Sequence, residues 1–228
     1  MKTPLPDAVL DGLALAPAPR RRRAQALFNA LAKAYPDAHC ELDHADAFQL
    51  LAATILSAQC TDKSVNRATP ALFRRYPDAA ALAGARLQDV EALIRSLGLY
   101  RGKARNLVGM AQALLREHGG QVPRDRAALV ALPGVGRKTA NVVLSNAFGL
   151  PGLAVDTHVL RVGKRLGLLV SADPVKAEAE LCAQFRPAQW GMLSHLLIWH
   201  GRRLCAARGP DCGGCPLRRN CPGRINDQ

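Results

Sequence analysis

Apolar side chains recur every three or four residues along most of this chain, and strict alternation with polar ones is rare. Residues 12–23 (GLALAPAPRRRR) read as a linker of prolines and small residues running into a charge cluster. A helical stripe then starts near Ala24, with Leu27, Phe28, Leu31 and Ala32 on one face. Asp46 is placed to cap AFQLLAATILSAQ, which is apolar all round and so predicted to be buried. A helix after Thr61 stops near Pro77. Val90, Leu93, Ile94 and Leu97 mark an amphipathic helix closed by Gly98, and 101–117 mark another, closed by Gly119 and Gly120. Asp125 precedes RAALVAL, which meets Pro133. Residues 137–148 form a helix ending at Gly149, and Asp156 precedes VLRVGKRLG. Asp173-Pro174 opens a further helix, and 187–203 carries the last. The pattern predicts about ten helices, no strand, and hence an all-α fold.

Composition supports this reading. Aromatic residues make up only 4% of the 228 residues, too few for an all-β architecture, while 49% apolar residues suffice for one or two cores. No run of about 18 apolar residues exists, which excludes a membrane-spanning helix. The N-terminal apolar patch is broken by Asp7 and Asp11 and followed by Arg20–Arg23, unlike a cleavable signal. A cytoplasmic protein, nucleoid-associated in a bacterium, is expected.

Charge narrows the partners. Lys and Arg total 31 against 18 Asp and Glu, a net charge of +13. Such a surface draws polyanions, nucleic acid foremost. The arginines at 20–23 are either a solvated tail or an arm on that polyanion.

Seven cysteines are present, and four of them (Cys205, Cys212, Cys215 and Cys221) fall within the 17 residues from 205 to 221 as C-x6-C-x2-C-x5-C. An odd total in a cytoplasmic chain argues against a disulfide framework. Four thiolates in one loop suit zinc or a [4Fe–4S] cluster. Zinc sites usually pair their ligands in two short knuckles, and only 212–215 is short here, so the spacing leans toward the cluster. Cys40, Cys60 and Cys182 read as small buried hydrophobes.

Between the helices at 126–132 and 137–148 lies LPGVG. Glycines at 134 and 136 permit a sharp bend and close approach of another molecule, and the N–H groups opening the second helix make an anion site. An ordinary tight turn between helices would use the same glycines. A DNA phosphate is the natural anion for so basic a chain, and such a contact reads backbone, not sequence.

At LPGVGRKTANVVLSNAFG the chain resembles the helix-hairpin-helix DNA glycosylases. VDTH (155–158), the four cysteines, SAQCTD (57–62) and GLYRGKARN (98–106) are similar to the branch of that family that combines glycosylase and abasic-site lyase activity with an iron–sulfur cluster. The likeness runs from about Ala24 to Cys221. It implies a bifunctional enzyme of base excision repair that removes oxidised pyrimidines from double-stranded DNA. It implies Lys138 as nucleophile on the sugar C1′, Asp156 as its acidic partner, and Cys205, Cys212, Cys215 and Cys221 as ligands of a [4Fe–4S] cofactor. Gln59 and Leu99 correspond to the residues that fill the space of an extruded base, while Gly134, Val135, Gly136, Arg137 and His158 are implied in DNA binding. Asp62 also matches a position near the site, where its plain reading is a helix cap. Two helical domains flanking a DNA-binding cleft follow: residues 41–151 as a six-helix domain with the hairpin at about 125–149, 24–40 plus 152–228 as the cluster domain, and 1–23 as a basic tail, in a monomer.

An amine attacks only when neutral, and an ordinary lysine is neutral at pH 7 about once in 2,500 molecules. The positive end of the helix, Arg137 alongside and partial burial are expected to disfavour the ammonium. Asp156 acts in the opposite sense, so its role is to take the proton or to stabilise cationic sugar. The alternatives are a non-catalytic DNA-binding or redox-sensing iron–sulfur protein, for which Lys138 has no purpose, and a monofunctional mismatch glycosylase, whose relatives lack that lysine.

Overall fold

The computed structural model describes residues 16–224. Those residues form eleven α-helices and two short 3-10 turns, with no strand among them. The chain divides into two compact units, one running Cys40–Gly149 and the other joining the chain up to His39 to the stretch from Leu150 onward.

The Cys40–Gly149 unit is built on α2 (Ala47–Leu56). The side chain of Asp46 caps it, accepting from Gln49 N–H at 2.8 Å, and every residue from Leu50 to Leu56 is buried. A helix apolar on all sides has no face to give to water and becomes the core. Around it lie α3 (Asp62–Arg75), α4 (Ala79–Ala83), α5 (Leu87–Leu93), α6 (Tyr100–His118), α7 (Arg126–Ala131) and α8 (Arg137–Phe148). That is seven helices where the sequence predicted six. The addition, α4, is a five-residue alanine-rich turn with no periodic signal, and its mark in the sequence is Asp78, whose side chain caps it at Ala81 N–H.

Helix α5 ends at Leu93, four residues before its apolar stripe runs out. Ile94 and Leu97 remain buried, but a turn carries them, with Leu97 N–H donating to Ile94 O. Gly98 therefore closes no helix. The expected cap at Asp62 also moves: Thr61 caps α3, accepting from Ser64 N–H, and Asp62 is the first helical residue.

The second unit packs α1 (Ala18–Ala34), α9 (Thr157–Arg165), α10 (Pro174–Cys182) and α11 (Trp190–Arg203) around one core that includes Leu27, Leu31, Leu153, Val162, Trp190 and Leu197. Helix α1 begins six residues before Ala24, so 18–23 are helix rather than linker. Arg20 donates to Leu168 O at 3.1 Å, and Arg23 donates to Leu166 O and Asn220 O. These two arginines satisfy carbonyls at the C-terminal end of α9 and beside the last cysteine, which is why a charge run belongs to a packed helix. The remainder of the proposed tail, residues 1–15, lies outside the described residues. No helix among those described is long and apolar enough to cross a membrane.

Candidate nucleic-acid interface and cysteine site

Leu132 to Gly136 join α7 to α8 in a tight bend. Gly134 has φ +77°, in the left-handed region where a Cβ is strained, and a Cβ there would come within 2.8 Å of Asn106 Cβ. Helix α6 thus forms the floor of the bend, with Pro133 seated against Gly109. Gly136 differs. Its backbone is extended (φ −98°), and a Cβ would meet nothing within 4 Å. Any residue could adopt that conformation, so the glycine leaves open space above the helix end. As N-cap it also gives α8 no side-chain hydrogen bond, whereas α2, α7, α9 and α10 are each capped by an aspartate.

Val135 is buried, and its N–H donates to Leu132 O at 3.1 Å. Its side chain anchors the bend from within. Arg137 and Lys138 are exposed in the first turn of α8. The partial burial expected for Lys138 is not found, since the residue is exposed. No described residue holds Lys138 Nζ in a hydrogen bond or ion pair.

Asp156 belongs to the other unit and is the N-cap of α9, with Oδ1 accepting from Val159 N–H at 2.8 Å. Capping commits one carboxylate oxygen and fixes the direction of the other. His158, two residues on, receives Arg161 Nη2 at 3.0 Å through Nδ1, and a Cβ on Gly201 would come 2.9 Å from that atom. Arg161 also donates to Gly201 O and Cys205 O. His158 is thereby wedged between α9 and α11, a packing role.

Gln59 and Leu99 are the two non-glycine residues with positive φ among those described, at 55° and 60°. Both are exposed, Leu99 to 64%. A left-handed backbone costs a residue with a Cβ roughly 1–2 kcal/mol, and a large apolar side chain held in water gains nothing to offset it. Outliers of this kind gather at functional positions. Sequence spacing cannot reveal such strain, and both residues came forward only through resemblance.

The four cysteines Cys205, Cys212, Cys215 and Cys221 line one cavity together with Arg165, His200 and Arg218. Burial, and then the nearness of the other thiols, pushes the Cys215 and Cys221 thiols up. Four mutually repelling sulfurs in a half-buried pocket fit a group whose cationic centres take their charge. No three metal-ligating side chains among the described residues converge tightly enough for a single ion. The thiols instead line a shared cavity. His200 Nε2 lies 3.7 Å from Cys215 Sγ, while its Nδ1 meets the Tyr35 hydroxyl at 2.8 Å. Arg165 donates to Cys205 Sγ and to Ala206 O, tying the loop to α9.

Helical architecture, hairpin bend and cysteine loop together define a class of repair protein. Residues 52–187 match the model of the HhH-GPD superfamily base excision DNA repair proteins, and the chain belongs to that family. Endonuclease III of Synechocystis sp. is 50% identical over 206 residues, covering 90% of this chain and 94% of that protein. Endonuclease III of Escherichia coli K12 is 45% identical over 187 residues, covering 82% and 88%. Among solved structures, a trapped endonuclease III–DNA covalent intermediate superposes with a TM-score of 0.85 at 46% identity, covering 89% of this chain and 96% of that one. A thermostable thymine-DNA glycosylase, at 23% identity and a TM-score of 0.78, shares the fold.

Proposed function

We propose that this chain is a bifunctional DNA glycosylase and abasic-site lyase that removes oxidised pyrimidines from double-stranded DNA and nicks the strand. The observation that carries this reading is the exposed Lys138 in the first turn of α8, held by no hydrogen bond or ion pair among the described residues and set beside a bend shaped to receive a phosphate. A protein that only bound DNA would need the bend and not a nucleophile at its mouth. A mismatch glycosylase without lyase activity would not need the amine either. Kinship with endonuclease III supports the same conclusion.

Phosphate oxygens accept from the uncapped start of α8, which sets the strand in register. The target nucleotide leaves the stack at a cost of a few kcal/mol. Leu99 enters the stack, and Gln59 satisfies the base left without its partner. Lys138 Nζ, having lost a proton, bonds to C1′ as the bond to the base breaks. Asp156 receives that proton or stabilises positive charge on the sugar. Ring opening yields an imine between Nζ and C1′, which acidifies the C2′ proton. Its removal expels the 3′ phosphate. Water then releases the lysine.

Cys205, Cys212, Cys215 and Cys221 hold a [4Fe–4S] cluster in this reading. The cluster orders a loop carrying Arg208, Arg218 and Arg219, all exposed cations suited to phosphate. The enzyme acts as a monomer in the cytoplasm.

Borohydride reduction of a mixture with abasic DNA tests the central step. A covalent protein–DNA adduct is expected, and Lys138→Gln should abolish it. An undiminished adduct in that variant would assign the nucleophile elsewhere. Purified protein should be brown and contain acid-labile sulfide, whereas a colourless zinc-loaded protein would remove the cluster.

A further inference from the structure

Lys103 is the only lysine or arginine buried among the described residues, at 4% exposure. It sits in the first turn of α6, where its backbone N–H donates to Leu99 O at 3.1 Å. Its Nζ lies 3.0 Å from Cys60 Sγ. A buried ammonium normally takes a carboxylate, but here the side-chain contact is with a thiol. Cys60 is half-buried, so part of the residue stays open to solvent. It follows Gln59 directly, and its N–H donates to Ser57 O within the same turn. Neither side chain has a part in the chemistry proposed for Lys138.

We infer that Cys60 and Lys103 are an oxidation-sensitive pair that closes into a covalent Sγ–Nζ sulfenamide when a peroxide reaches the sulfur. In the first step the thiol sulfur attacks the peroxide: an S–O bond forms, the O–O bond breaks, and water leaves. Sulfur is oxidised by two electrons to the sulfenic acid and the peroxide is reduced. In the second step Nζ attacks Sγ from 3.0 Å away. The nitrogen reacts as the neutral amine: the S–N bond forms, the S–O bond breaks, and the departing oxygen takes up the amine's proton and leaves as water. The balance is one thiol, one amine and one peroxide giving one sulfenamide and two waters. A sulfenic acid condenses with a nearby nitrogen in the same way when a backbone amide is the neighbour. Proximity favours the lysine over an outside thiol, because the amine is already in contact and packed from water. Added thiol attacks the sulfur and frees the amine again, so the link is reversible.

The link would staple the turn bearing Gln59 to the turn capped by Leu99, the two non-glycine residues with positive φ among those described. Its effect on DNA nicking rests on the reading of those residues as the ones that fill the extruded base's place; its formation does not. The cluster-loaded, full-length protein is treated with hydrogen peroxide, digested with a protease that cuts at acidic residues, and examined by mass spectrometry. The expected product is a Cys60 peptide joined to a Lys103 peptide, two hydrogens (about 2 Da) lighter than their sum and separated by dithiothreitol. Lys103→Met and Cys60→Ala should each abolish it, and in the lysine variant Cys60 should proceed to sulfinic acid. Sulfinic Cys60 beside an unmodified Lys103 in the unsubstituted protein would overturn the inference. Nicking that falls several-fold with the cross-link and returns with dithiothreitol supports both readings. A cross-link formed with nicking unchanged upholds the pair and removes the wedge assignment.

Discussion

The side chain of Asn106 on α6 lies directly beneath Gly134, with 2.8 Å between Asn106 Cβ and the place a Cβ on the glycine would occupy. The bend at 132–136 is therefore held from below by a helix that begins more than thirty residues earlier. Gly134→Ala combines this clash with a left-handed backbone. It should destabilise the protein by about 2–4 kcal/mol, from overpacking together with strain, and weaken DNA binding by displacing the start of α8. Gly136→Ala has open space and an extended backbone, so its denaturation midpoint should stay close to that of the unsubstituted protein. Urea titration of both variants decides whether the two glycines serve different ends.

Asp156 has two duties that substitution can separate. Asp156→Asn keeps an acceptor for Val159 N–H and should retain stability, while nicking slows by about 10²–10⁴-fold as the proton acceptor is lost. Asp156→Ala should slow nicking as much and also cost about 1 kcal/mol as the cap disappears. Single-turnover nicking measured beside thermal unfolding distinguishes the roles. Equal stabilities for the two variants would argue against capping.

Leu99→Gly should move stability and function in opposite directions. Removing the Cβ relieves left-handed strain worth about 1 kcal/mol, and an exposed side chain gives up little burial in exchange. The variant should unfold at equal or higher urea concentration, yet extrude the target base more slowly. A fluorescent base analogue at the lesion reads the second effect.

Cys212→Ser removes one of the thiols that ring the shared cavity. The visible colour should fade, and the loop over 205–221 should become susceptible to proteases, because binding a metal group there also contributes folding energy. Retained colour with an intact loop would remove Cys212 from the ligand set.

His195 on α11 is kept neutral: burial first, then the charge of His39, pushes its pKa down to about 4. Its folded pKa is below the unfolded value near 6.5, so the unfolded chain takes up a proton that the folded protein refuses. The penalty is absent above pH 6.5, and stability should be lost as pH falls from about 6.5 toward 4. Burial brings His200 to about 4 as well, which adds to the slope. His195→Gln should make urea midpoints between pH 7.5 and 5 less steep without making them flat.

What the amino-acid sequence determined alone was whatever depends on near neighbours. Helix α8 spans the predicted 137–148 because a glycine precedes it and a left-handed Gly149 ends it. The caps at Asp46, Asp125, Asp156 and Asp173 were legible for the same reason: each acts on an amide three residues ahead. The cysteine spacing was equally local. Tertiary structure decided the rest. Arg20 and Arg23 read as tail or arm until the carbonyls of Leu168 and Leu166, more than 140 residues away, took their guanidinium groups into a packed helix. Helix α5 stopped short of its apolar stripe, ahead of a backbone that has to turn left-handed at Leu99. Val135 turned inward, and Lys103 met Cys60, 43 residues away in the chain. Such features arise from contacts between residues distant along the chain, and periodicity or spacing within a short window cannot encode them.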